Sequence, residues 1–208
     1  MSAYDNFVQD FPSRILKLYK LHLDSASLAR LDVTFLLSLT STAIAIPFER
    51  LRDPNRCRYP HPSHDRQRFI EAAKRFDELC SKNLRECELW DPTFNEWRYG
   101  KLQTINGEPE SWEELRSSNP IGSDLHAETV ITHLRHSLAH GNLYTRGEEV
   151  IEEIIMLTGE AKKGFYFLVV TPGNLRQFLQ KWVTWLQTLP MQASIFIEDE
   201  KRAYSHRG

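Results

Sequence analysis

The run from Val33 to Phe48 constrains the fold more than any other stretch of the chain. It is interrupted only by small hydroxyl residues, Thr34, Ser38, Thr40, Ser41 and Thr42. A helix built from it is apolar on nearly all sides, and such a helix is stable when other elements surround it. The chain therefore has to be assembled around this segment. The spacing predicts a helix from about Ser27 to Ile46, opened by Asp24 and Ser25 and broken at Pro47. The run falls short of the 18 or so uninterrupted apolar residues of a membrane span, so a membrane role is not expected.

The other segments supply the partners. Phe7, Phe11, Ile15, Leu18 and Tyr19 recur at helical steps and predict a first helix over Tyr4 to Leu23. Ser63, with Asp65 behind it, is an N-cap for a third helix reaching about Leu89, with Phe69, Ala72, Phe76 and Leu79 on its inner face. Ser123 and Asp124 open another helix that ends at His140, before Gly141. Val150 to Leu157 and Phe165 to Val170 are β-rich runs that read as a hairpin. Thr171-Pro172 places an N-cap before a proline at the first position of the last helix. Between Trp90 and Asn119 the periodicity fails, and Trp90, Trp97, Tyr99 and Trp112 there read as packing residues of an irregular lid. The expected architecture is mainly α, an antiparallel helical bundle with one appended β-hairpin. It forms a single domain over 1–190, with an irregular insertion at about 90–120, the hairpin at about 150–170 and a C-terminal tail over 191–208.

Charge and cysteines narrow the function. Lys and Arg number 26 against 28 acids, a net charge of −2. A strongly electrostatic nucleic-acid coat is excluded, because such binding depends on neutralising phosphates. Any nucleic-acid role has to use a local site. The three cysteines, Cys57, Cys80 and Cys87, form no C-x-x-C pair and predict no disulfide framework. Met1 to Asp10 carries two acids and no basic residue, unlike a signal peptide. The expected compartment is the cytoplasm.

The chemistry concentrates in Thr132-His133-Leu134-Arg135-His136-Ser137-Leu138-Ala139-His140-Gly141-Asn142. Val130, Ile131, Leu134 and Leu138 form the apolar stripe of this helix. His133, His136 and His140 fall in a narrow arc off that stripe, with Arg135 at its edge. His133 reads as a solvent-exposed residue and Ser137 as a bystander. Arg56 to His61 and Arg58 to His64 repeat the Arg-to-His spacing, but in a loop broken by Pro54, Pro60 and Pro62. Only Arg135 to His140 closes an amphipathic helix and runs into Gly-Asn.

Arg135-His136-Ser137-Leu138-Ala139-His140, followed by Gly141-Asn142 and a hairpin before the final helix, resembles the signature of the HEPN superfamily. The resemblance is sharp over Asp124 to Asn142 and follows helix order elsewhere. It implies a small helical bundle, a homodimer with the motif at its interface, and metal-independent RNase activity of the kind found in toxins and abortive-infection proteins. Arg135 and His140 take the catalytic positions. His136 stands where Asn or Asp is common and takes a supporting role. The implied activity is endoribonucleolytic cleavage by the 2′-OH of RNA at a composite homodimer site, in a toxin or phage-defence protein, with no cofactor and no metal. The implied partners are RNA, a second copy and, for a toxin, an antitoxin protein. The alternative is a non-catalytic HEPN module that dimerises and binds RNA or a partner protein.

The residue types suit that chemistry. Histidine exchanges protons near neutral pH, and arginine offers a planar fork that matches phosphate oxygens. Asn142 either caps the helix end or contacts substrate. Arg135 has a structural alternative, an ion pair with Asp124 or Glu128 on preceding turns. A metal held by the three histidines is a rival reading that lacks a ligand from a second element. From Glu49 to Arg75 the chain holds eight Lys and Arg against four acids. Arg56 and Arg58 there, with Tyr59, are the candidate substrate contacts.

Overall fold

The computed structural model describes residues 7–52, 66–102, 104–105, 107–122, 124–160 and 164–191. Six helices are present among them: α1 (Phe7–Leu28), α2 (Asp32–Arg52), α3 (Arg66–Ser81), α4 (Glu113–Ser117), α5 (Ala127–His140) and α6 (Pro172–Gln187). Four strands, β1 (Arg98–Leu102), β2 (Leu143–Arg146), β3 (Glu153–Glu160) and β4 (Gly164–Val170), form one antiparallel sheet in the order β1-β4-β3-β2. The molecule is mainly α, as the pattern predicts, and the expected hairpin is β3–β4. It is extended on either side by β1, from the irregular stretch, and by β2, which starts directly after Asn142.

The all-apolar segment is the central helix. α2 packs against α1, α3, α5 and α6, and its Leu36, Ala43, Ile44, Phe48 and Leu51 are buried. Pro47 does not break it, and the helix runs on to Arg52. A proline at this position leaves the carbonyl four residues earlier without its helical N–H. That carbonyl belongs to Ala43, and Trp182 Nε1–H of α6 donates to it at 2.9 Å. A tertiary donor thus replaces the missing helical one. Around this bond Phe48, Phe76 and Trp182 meet edge to face and Trp182 stacks on Trp185, with successive centroids 5.6–6.2 Å apart, joining α2, α3 and α6.

Three other predicted boundaries move, each for a backbone reason. Asp24 and Ser25 do not start a new helix, because α1 continues to Leu28. It closes through Leu31 N–H to Ala26 O and Arg30 N–H to Ser27 O, a Schellman closure with Arg30 in the left-handed position at φ 57°. The third helix stops at Ser81 rather than near Leu89. The chain there pairs in extended form with the lead-in to α5, through Leu84 N–H to Leu125 O at 2.7 Å and Ala127 N–H to Lys82 O at 3.0 Å. The same pairing delays α5, which opens at Ala127 and not at Ser123–Asp124. Cys80 consequently lies on α3 and Cys87 beyond it. Both are free and buried, and burial pushes the Cys80 thiol up to about 12. They are packing residues.

The sheet is buried on both faces. Ile154, Met156, Leu168 and Val170 join the helical core. Ile155, Leu157, Phe167 and Val169 pack on the other side under Leu102, Trp112 and Leu115. The later part of the stretch after Trp90, with Trp112 and Leu115, therefore covers the outer sheet face, whereas its first part packs into the helical core through Phe94 and Trp97. Trp97 is fully buried and stacks on Phe94 at 4.9 Å, and Trp112 meets Tyr144 edge to face.

The Ala43–Trp182 bond makes a double-mutant test. Trp182→Phe should cost about 1–3 kcal/mol, since it leaves a buried carbonyl unpaired. In a Pro47→Ala background the new N–H can take up Ala43 O within the helix. The combined cost should then fall below the sum of the single costs by about 1 kcal/mol in urea unfolding. Strict additivity would show that the tryptophan contributes only its bulk.

Candidate functional site

α5 is held at both ends. Its start is tied to the chain after α3, as above. At its end, Gly141 takes the left-handed conformation, φ 68°, and its N–H bonds Ser137 O. Asn142 N–H also reaches Ser137 O, and Asn142 O accepts Leu157 N–H at 3.0 Å. Gly141 is thus the C-cap, and the Asn142 backbone fastens the helix end to β3 while its side chain stays exposed.

Two sides of α5 are covered. One carries Ile131, Leu134 and Leu138 into the helical core. The other lies on the sheet, and it corrects the expectation for His133. That residue is 3% exposed. Its Nε2 lies 2.9 Å from Met156 O and its Nδ1 3.1 Å from Thr158 Oγ1. A carbonyl only accepts, so Nε2 carries the proton and the threonine hydroxyl donates to Nδ1. Burial, first, and the neighbouring His136 then push its pKa down to about 4, against the pull of the Met156 carbonyl. Ser137 is likewise buried and donates to Leu157 O at 2.9 Å. It is a structural bond to the strand. With both His133 nitrogens engaged, this residue is unavailable to share an ion with His136 and His140.

The remaining face presents the motif. His136 is half-buried and His140 exposed, with ring centroids 4.4 Å apart. Partial burial lowers the His136 pKa, with further lowering from His140 and Arg135. At neutral pH its imidazole is therefore mostly unprotonated. Arg135 lies on the other flank. Its guanidinium pairs with Glu49 of α2, not with Asp124 or Glu128. Glu128 instead faces Arg52 at 3.7 Å. At about 100° per residue, Arg135 and His140 stand about 140° apart around α5, with Thr132 and Ala139 between them. Arg56 and Arg58 lie outside the described residues. Their neighbours Arg50 and Arg52 cover the rings of Phe7 and Phe48 at 4.9 and 5.3 Å.

The sequence left two contributors unread. Glu49 sits at the end of an apolar run where no periodicity marks it as facing Arg135. Tyr99 packs edge-on against His133 with centroids 5.7 Å apart, a contact that requires knowing β1 joins the sheet. Among the described residues, no group of three or more His, Cys, Asp or Glu is placed to hold a metal ion, and no helix is long and apolar enough to cross a membrane.

A mainly helical bundle in which an Arg–His motif closes one helix against a small sheet is the arrangement expected of a HEPN domain. The chain belongs to that superfamily through the HEPN pEK499 p136 family, whose model matches residues 1–192. No curated protein and no solved structure matches it.

His133 sets a pH dependence. In the unfolded chain its imidazole titrates near 6.5, and in the fold near 4. The fold favours the neutral ring, so its contribution is complete above pH 6.5 and is lost as pH falls from 6.5 towards 4. The difference corresponds to roughly 3 kcal/mol. The stability of the protein in urea should therefore drop more steeply between pH 7 and pH 4 than that of His133→Gln, which has no ring to protonate. Parallel profiles would show that His133 is not the titrating group.

Proposed function

We propose that the protein is a metal-independent endoribonuclease of the HEPN type, acting as a homodimer and serving as a toxin or phage-defence protein. The observation that supports this reading is the split of the motif across α5. Arg135 occupies one flank of the exposed face and the His136–His140 pair the other, while the strip between them carries the small residues Thr132 and Ala139. Small residues let two helices approach closely. Two α5 helices crossing there about a twofold axis bring each arginine towards the partner's histidines, because an isologous contact pairs opposite flanks.

RNA supplies the nucleophile, its own 2′-OH. One histidine takes that proton, and a histidine in its protonated form returns one to the leaving 5′-oxygen. Arg135 stabilises the charge on the pentacovalent phosphorus with its two-pronged fork. His136, with its lowered pKa, is suited to accept a proton at neutral pH. Products carry a 2′,3′-cyclic phosphate, since no water attacks in the first step.

The ion pair between Arg135 and Glu49 favours a second reading, a non-catalytic module in which Arg135 secures α2 to α5 and the exposed face binds RNA or a protein. Cleavage of one RNA by wild type, Arg135→Lys and His140→Ala separates the two. On the catalytic reading, His140→Ala loses roughly 10²–10⁴ in rate. Arg135→Lys is also poor although it keeps the charge, and both remain folded by circular dichroism. Wild-type cleavage by both folded variants shows that the motif is structural and not the source of the cleavage, and no cleavage by the wild type supports the module.

Metal and assembly are checked separately. Cleavage should persist in EDTA, and loss with recovery on adding a divalent cation would point to a metal-dependent reaction. Light scattering should give a dimer at micromolar concentration. A fully active monomer would remove the composite site.

A further inference from the structure

Beside the histidine pair the sheet does not end in bare polar residues. Strand alternation puts Tyr99, Lys101, Thr158 and Tyr166 on the same sheet face as Met156 and Leu168, which α5 covers. Past the edge of α5 these side chains are left uncovered to different degrees. Tyr166 is 40% exposed, a large ring at the surface of a strand whose next four residues are buried. It stacks nearly parallel on Tyr99, with centroids 6.1 Å apart and planes within 15°. Lys101 Nζ stands 5.7 Å from the centre of the Tyr166 ring. The lysine reaches it by lying over Gly164, where a Cβ would come within 2.8 Å of Lys101 Cε. The glycine backbone thus makes room for the lysine stem.

This group is continuous with the candidate site. Tyr99 touches His133 with its ring. His133 lies one helical turn before His136, whose ring lies tilted against that of His140. On α5, His136 and His140 project on the side of His133 away from Ser137. Tyr99, Tyr166 and Lys101 are thus linked to the histidine face of α5 through the ring of His133.

We propose that Tyr166, backed by Tyr99 and flanked by Lys101, is a stacking platform for a nucleobase of single-stranded RNA next to the scissile phosphate. This rests on the reading of the protein as an RNA-cleaving enzyme. An exposed ring stacked on a half-buried one is a fixed surface that loses little freedom when a base settles on it. A base of any identity has a π-face to offer, so the platform tolerates sequence. The ammonium of Lys101 at its rim is placed for the phosphate linking that base to the next. Duplex RNA keeps its bases stacked on one another and is a poor ligand for such a surface. The platform therefore directs the enzyme to unpaired segments.

The test uses the full chain with Tyr166→Ala, Tyr166→Phe and Lys101→Gln. Binding is followed by fluorescence anisotropy of a short fluorescein-labelled single-stranded RNA of mixed sequence in the His140→Ala background, and cleavage in the catalytically intact one. Tyr166→Ala should weaken binding roughly 5- to 150-fold, the range for loss of one stacked base. It should raise KM by a similar factor while kcat stays within about twofold. Tyr166→Phe, which keeps the ring, should behave as wild type. Lys101→Gln should lower the salt dependence of binding by about one phosphate contact. The proposal is overturned if folded Tyr166→Ala binds and cleaves as wild type does, and the ribonuclease reading then still stands. If the wild type neither binds nor cleaves RNA, both fall together.

Discussion

The hydrogen bond from Trp182 Nε1 to Ala43 O is what allows the central helix to be central. Without a donor for that carbonyl, a proline on the buried side of the helix leaves a polar atom in the core at a cost comparable to a lost hydrogen bond. With it, α2 continues past Pro47 to Arg52. Its last turn then carries Glu49 to Arg135 and Arg52 to the neighbourhood of Glu128. Had the helix stopped at Ile46, neither acid–base contact with α5 would exist. The arginine of the motif would then be positioned by α5 alone. A bond between residues 139 positions apart in this way reaches into the site.

That separation explains what the sequence disclosed and what it withheld. The all-apolar run demanded a central helix, and α2 does pack against four others, while its hydroxyl residues Thr34, Ser38 and Thr42 make one stripe that faces solvent. Thr171-Pro172 predicted a capped helix start, and Thr171 Oγ1 does accept the Asn174 N–H. Arg135, His140 and Gly141 were legible because a local pattern, a helix end, defines them. Pro47 misled because its compensation is tertiary. His133 misled for a related reason. A helical wheel with one apolar stripe assumes one buried side, whereas α5 is pressed between helices and a sheet. The second side uses polar residues, since it meets backbone carbonyls of β3 rather than hydrocarbon. A buried histidine or serine there is indistinguishable in sequence from an exposed one.

The pairing of Arg135 with Glu49 gives the candidate site a definite electrostatic state. An arginine free of partners would be solvated by water and spread over many rotamers. Here the guanidinium is held by a carboxylate that is itself largely exposed, so the pair remains open to exchange. A phosphate oxygen arriving at Arg135 replaces one anion by another. The arginine is therefore not desolvated from water on that side, and its orientation is already restricted.

The fastening of α5 at both ends has a consequence for motion. Its start is clamped to the strand-like segment after α3, and its finish to β3 through Asn142. A helix so anchored cannot slide along its axis or turn about it without breaking backbone bonds at one end. Slow register shifts of the kind that gate many enzymes are closed to it. Movement at this surface is left to the side chains, which reorient in picoseconds to nanoseconds. The arginine and the histidines thus ride on a fixed beam, and what varies with time is only where their tips point.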